Sequence, residues 1–389
     1  MSQGRSRGGL WLAAACVLSA AALLTGCGEF FTPVNNNPGS GTSSFAYITN
    51  AGGTLTEYSL TSGVLAQLSG SPITLSVAPT AIAIAPNNAF LYVGTATGVF
   101  LYTINSDGTL TEGNDDTVVY LNAAGLTVSS MVVDATSSWL ILSYQNSTEI
   151  DALPINPTTG VANSTTAATA SLSFATQAPK VAITAANNFI FAALGSGGTE
   201  VIGFTPTSTS NPFASSGSTI APTKNFGATG VASDPTSTYL YVTEADLSTG
   251  TSPGPGKLRL FKIATPPVEL SGSPYTTGVG PSSVLADLSG DYVYVTNSTD
   301  NTISGFAFTA TSQTLAAISS SPYPTAKAPQ ALVEDSSKTY VMAVGSGANP
   351  NLWLYNFDTT TADGTLDIMS STSTASVSPA ASNGIVATH

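Results

Sequence analysis

One phased block returns along most of the chain, and it constrains the fold more than any other feature. In its clearest copy it reads Ile82-Ala83-Ile84-Ala85-Pro86-Asn87-Asn88-Ala89-Phe90-Leu91-Tyr92-Val93, a small-apolar strand, a turn and an aromatic strand. It returns over 131–142, 181–192, 231–242, 284–295 and 332–343. The residues in phase with Tyr92 are Tyr47, Ile141, Phe191, Tyr241, Tyr294 and Met342, at successive steps of 45, 49, 50, 50, 53 and 48. A near-constant step of that size holds about four short strands, the content of one β-propeller blade. The seven marks therefore predict an all-β, seven-bladed β-propeller with four-stranded blades. The first mark has its aromatic strand, Phe45-Ala46-Tyr47-Ile48-Thr49-Asn50, but no strand before it. The missing strand is expected at the far end, in Asn383-Gly384-Ile385-Val386-Ala387-Thr388. Pairing it into the first blade closes the ring and removes the open sheet edges that invite aggregation.

The later part of each block carries turn chemistry. Leu68-Ser69-Gly70-Ser71-Pro72, Leu270-Ser271-Gly272-Ser273-Pro274 and Ile318-Ser319-Ser320-Ser321-Pro322 recur at one phase. Asp107-Gly108-Thr109-Leu110 and Asp363-Gly364-Thr365-Leu366 recur at another, with Gly53-Thr54-Leu55 beside them. Gly and Asp supply the backbone conformations and side-chain bonds of tight hairpins. Lys257-Leu258-Arg259-Leu260-Phe261-Lys262 alternates with period 2, as a strand does.

Charge narrows the function. Nine Lys and Arg against 22 Asp and Glu give a net charge of −13, which argues against nucleic acid, whose phosphates need clustered cations. Two Cys and one His exclude a disulfide framework, a Cys/His zinc site and a mechanism built on an internal histidine. A quinone- or haem-dependent propeller is disfavoured for the same reason, and no cofactor is expected. Asp134, Asp234, Asp287 and Asp335 share one phase of the repeat, with Ala85 and Thr184 in the same place elsewhere. That position starts the turn between the first two strands, so they read as turn caps and not as metal ligands. Asp107, Glu112, Asp115 and Asp116 lack the alternation of a calcium loop and read as a solvated hairpin end. Lys257, Arg259 and Lys262 read as a solvated blade edge.

The first residues give an address. Arg5 and Arg7 precede an apolar run from Leu10 to Leu24, which is short for a membrane span and suits a secretory leader. Leu24-Thr25-Gly26-Cys27 resembles a bacterial lipobox, which implies lipidation at Cys27 and removal of 1–26. Residues 27–44 then read as a lipidated, flexible tether and 45–389 as the propeller. By resemblance to Gram-negative lipoproteins, Gly28 in place of an Asp after the Cys leaves sorting to the outer membrane or cell surface open, and that address is expected over the inner membrane.

Tyr294-Val295-Thr296-Asn297 and Tyr47-Ile48-Thr49-Asn50 look like the YVTN repeat of bacterial surface propellers. With Pro79, Pro281 and Pro329 before the first strand, the whole block resembles the seven-bladed lactonase family, the 6-phosphogluconolactonase-like propellers. The resemblance implies a ligand site at one end of the central channel. It implies that Thr80, Lys180, Thr229, Ser282 and Gln330 lead into the inner strands there. It also places Asn50, Glu244, Asp246 and Asn297 in the loops after the aromatic strand. Family members that act as lactonases carry Gly-Pro-Arg-His at the first place and Asn-Glu at the second. This chain has Gly227-Ala228-Thr229-Gly230, with its acid one position early at Glu244. Pro179 and Lys180 fall at the Arg-His positions of another blade, and His389 is expected in a flexible end.

Two functions follow. One is a binding or surface-interaction module taking a glycan, small molecule or protein, with Asn50, Asn297, Gln330 and Thr229 as ligand contacts. The other is a lactonase-like hydrolase, with Glu244 or Asp246 activating water and Lys180 stabilising charge.

Overall fold

The computed structural model describes residues 44–113, 125–208, 210–214, 217–248, 252–357, 363–374 and 384–389. The leader, Cys27, the tether to residue 43, Asp115 and Asp116 lie outside the described residues.

Alternating apolar residues in short runs, punctuated by Gly, Asn and Asp, fold into antiparallel meanders. Each meander is one blade, with its strands running inner, second, third and outer. The inner strands are Ile385–Ala387 for blade 1, Pro79–Ile84 for blade 2, Val128–Val133 for blade 3 and Lys180–Ile183 for blade 4. Those of blades 5, 6 and 7 are Phe226–Ser233, Pro281–Ala286 and Pro329–Glu334. The inner strands neighbour one another in a ring around a central channel. Helix is confined, among the described residues, to the 3-10 turn Ser164–Thr166.

All seven register marks lie on second strands and are fully buried. Buried apolar clusters join every pair of neighbouring blades, from blades 1 and 2 around to blades 7 and 1. The core is therefore a ring of seams between sheets, and each blade is half of two seams. Ring closure takes the expected form: Ala46 pairs with Ala387, Tyr47 with Val386 and Ile48 with Ile385. His389 does not end in a free tail. Its N–H donates to Asn88 Oδ1 at 2.9 Å, and Asn88 Nδ2 donates to its carbonyl at 2.8 Å.

Two repeat signals acquire physical roles. Asp134, Asp234, Asp287 and Asp335 each accept backbone N–H groups across the turn between inner and second strands; Asp134 Oδ1 takes those of Ser138 and Trp139 at 2.6 Å. Thr184 does the same with its hydroxyl. In the Ser-Pro segments of blades 1, 5 and 6 the outer strand is interrupted. The serine before the proline, Ser71, Ser273 or Ser321, accepts the third-strand N–H of Glu57, Leu260 or Gly305 in place of a ladder carbonyl.

Candidate functional site: the channel mouth

The ladder between inner and second strands slips by one residue at the same end of five blades. The extra residues are Thr80, Ser129, Thr229, Ser282 and Gln330. A bulge re-aims the side chain it carries and often rims a functional site. Ser129 was not singled out from the sequence, although Ser129-Ser130 stands in phase with Ser282-Ser283. It is buried; Thr80, Thr229, Ser282 and Gln330 remain partly exposed at the mouth.

Each hydroxyl in this set gives its proton to the protein. Thr80 Oγ1 donates to Gly94 O at 3.1 Å, Thr229 Oγ1 to Thr243 O at 3.3 Å, and Ser282 Oγ to Pro329 O at 2.7 Å. Gln330 Nε2 donates to Ala328 O and Ser346 Oγ. With these bonds made, each group keeps oxygen lone pairs that can accept from a ligand.

Lys180 brings a cation to this end, partly buried at the first residue of the blade 4 inner strand. Its Nζ donates to the carbonyl of Ser282 at 2.5 Å, so the side chain crosses the channel from blade 4 to blade 6. Among the described residues no carboxylate forms an ion pair with it. Removal from water brings its ammonium down to about 8.

The acids sit elsewhere. Glu244 is fully buried on the second strand of blade 5. Its Oε1 receives Arg259 Nη1 at 2.9 Å and the N–H of Thr223 at 3.1 Å. Arg259 also grips Glu269 through Nη2 at 2.6 Å and Nε at 2.9 Å. The expectation of a solvated basic edge is thus corrected at Arg259, which is 9% exposed and joins the buried Glu244 to the exposed Glu269. Lys257 lies over the Phe226 ring at 4.1 Å, and only Lys262 is fully exposed. Asp246 binds its own loop: Oδ1 accepts Ser248 N–H and Oδ2 accepts Gly254 N–H at 2.8 Å. The Ser248 bonds hold its carboxyl below the usual range. Lys180, Glu244 and Asp246 are not brought into contact.

Asn50 and Asn297 are fully buried. Asn50 Nδ2 donates to Thr56 Oγ1 at 2.8 Å and its Oδ1 accepts from Thr374 Oγ1 at 2.6 Å. Asn297 Nδ2 donates to Ser304 Oγ at 2.9 Å. Their amide nitrogens tie second strand to third strand, and Asn297 Oδ1 is buried without a hydrogen-bond partner among the described residues. Of the candidate contacts, Thr229 and Gln330 stay at the mouth, with Lys180 beside them.

The sequence matches no family model and no curated protein. Solved structures do match in three dimensions. A candidate 6-phosphogluconolactonase from Bacteroides fragilis superposes with a TM-score of 0.68 at 13% identity, over 89% of this chain and 98% of that one. The periplasmic gluconolactonase of Pseudomonas aeruginosa gives 0.67 at 12% identity, over 90% and 99%. The chain has the fold of the lactonase-type propellers. Hydrazine synthase from Kuenenia stuttgartiensis, which carries other chemistry, also matches at 0.58 and 14% identity over 80% of this chain and 94% of that one.

Proposed function

We propose that this chain is an exported, lipid-anchored binding module whose channel mouth takes a small hydroxylated molecule bearing one negative charge. The observation that carries this reading is Lys180, an ammonium held across the channel by a backbone carbonyl and without a carboxylate partner among the described residues. Thr80, Thr229, Ser282 and Gln330 surround the mouth with acceptors, so the ligand supplies the donors, as a polyol does. The leader and Cys27 support export and anchoring. So does the periplasmic location named for the Pseudomonas neighbour.

The test is calorimetric titration of gluconate and of glucose into the purified protein. Gluconate should bind at least about tenfold more tightly than glucose, since a hydrogen bond to a charged group contributes about 1.5–3 kcal/mol. Lys180→Met should erase the difference. Equal binding of both ligands, or gluconate binding unchanged in Lys180→Met, would refute the reading.

A lactone hydrolase is the second reading, favoured by the two lactonase-type neighbours. It needs a base to activate water. Glu244 is engaged by Arg259, and Asp246 by Ser248 and Gly254, so neither is free for that task without rearrangement.

A further inference from the structure

Away from the channel, on the outer side of blades 3 and 4, lies a cavity of about 310 Å³. The blade 3 outer strand (Ala168–Ser171) forms one wall with Thr169, Ala170 and Ser171. The facing wall is Glu200 and Ile202, on the blade 4 third strand (Thr199–Gly203), with Phe213 and Gly217 closing it. Ile202 and Phe213 are 4% and 6% exposed and make an apolar floor.

Glu200 is 8% exposed, and its two oxygens differ. Oε2 accepts the N–H of Ser173 at 3.3 Å and the hydroxyl of Thr219 at 3.2 Å. Among the described residues Oε1 receives no donor, and no Lys or Arg pairs with the carboxylate. With Oε2 already satisfied, Oε1 is the carboxylate oxygen left to take a donor from the cavity. The space beside Oε1 is kept open by a glycine: a Cβ at Gly217 would stand 2.6 Å from that oxygen.

We propose that this cavity is a binding site for a small alkylammonium ion. The ammonium would donate to Glu200 Oε1, and its alkyl stem would lie on Ile202 and Phe213. A hard divalent cation needs six to eight oxygen ligands, which one free carboxylate oxygen does not begin to supply, whereas an ammonium has three donors. A cavity at the small end of ligand sites suits a ligand of few heavy atoms. The site shares no residue with the channel mouth, so it stands or falls independently of the function proposed above.

The experiment is calorimetric titration of n-butylammonium chloride into the purified protein, with 1-butanol and sodium chloride as comparators. Saturable binding of the amine is expected, at least about tenfold tighter than the alcohol. Glu200→Gln keeps an acceptor for Ser173 and Thr219, so it should fold with an unchanged melting temperature and lose the amine. Gly217→Ala should lose it too, by filling the space with the charge still in place. The proposal fails if the amine does not bind. It fails equally if 1-butanol binds as tightly, or if both variants fold and bind the amine like the parent.

Discussion

Truncation after residue 383 removes the strand that closes the ring, and its cost can be worked from the structure. Ile385 is 5% exposed and Ala387 is 3% exposed, both in the seam between blades 7 and 1. Burying Ile385 alone contributes about 1.5–3 kcal/mol. The bonds lost include Thr49 N–H to Gly384 O, Thr388 N–H to Phe45 O and Phe45 N–H to Thr388 Oγ1, each at 2.9 Å. Each contributes about 0.5–1.5 kcal/mol net. The sum is a large share of the roughly 5–15 kcal/mol that holds a typical domain folded. The truncation also turns Ser44–Asn50 into an unpaired edge at the channel. The expected result is a strongly lowered melting temperature by circular dichroism, with concentration-dependent association on size exclusion. Ile385→Ala should reproduce the thermal effect in part, at about 2–5 kcal/mol, without the association. A truncated protein that melts like the parent and stays monomeric would refute closure by this strand.

Other expectations follow from single groups. Glu334 is 6% exposed, Oε2 accepts Leu288 N–H at 2.7 Å, and burial, with Asp287 and Asp335 nearby, pushes its carboxyl up to about 8. Folded protein thus keeps a proton that unfolded chain loses above about 4.5, so this group's contribution falls as pH rises between those values, at up to about 1.4 kcal/mol per pH unit. Glu334→Gln should flatten that slope in urea titrations at about pH 5 and pH 8; an identical slope would show the acid to be ionised in the fold. Gly108 has φ +83°, and a Cβ there would stand 2.1 Å from Phe45 Cδ1, whereas Gly70, at φ +87°, has nothing within 4 Å. Gly108→Ala should therefore cost more than Gly70→Ala in the same denaturation assay, by about 1–3 kcal/mol. Cys27→Ser should move the protein from the membrane to the soluble fraction on cell fractionation; retention at the membrane would remove the lipid anchor from the account.

The fold was legible because it is periodic. Seven marks about fifty residues apart, Tyr47 to Met342, all reach full burial, since each blade repeats the same seam. The closing strand was legible as a missing piece of the same period, and the Asp turns as a phase. The site was less so, because its geometry joins residues that no local pattern relates. Lys180 reaches Ser282 across 102 positions of sequence, past a whole blade. Arg259 looked like one of three cations on an alternating strand, yet its strand lies beside that of Glu244, and a lone arginine between Leu258 and Leu260 was the available signal that it is buried. Asn50 and Asn297 follow the aromatic strand as a ligand-facing loop residue would, but their strands run on to include them, which turns their amides inward.

The central claim, binding at the channel mouth without hydrolysis, is tested most directly by the rate of 6-phosphogluconolactone and gluconolactone hydrolysis at saturating substrate, with Lys180→Ala and Glu244→Gln beside the parent protein. Loss of a preorganised charge stabiliser lowers a rate by about 10²–10³, and loss of a general base by about 10²–10⁴. The account predicts that the parent protein and both variants hydrolyse either lactone no faster than buffer. Hydrolysis by the parent well above buffer, abolished in either variant, would contradict it and make the channel mouth an active site.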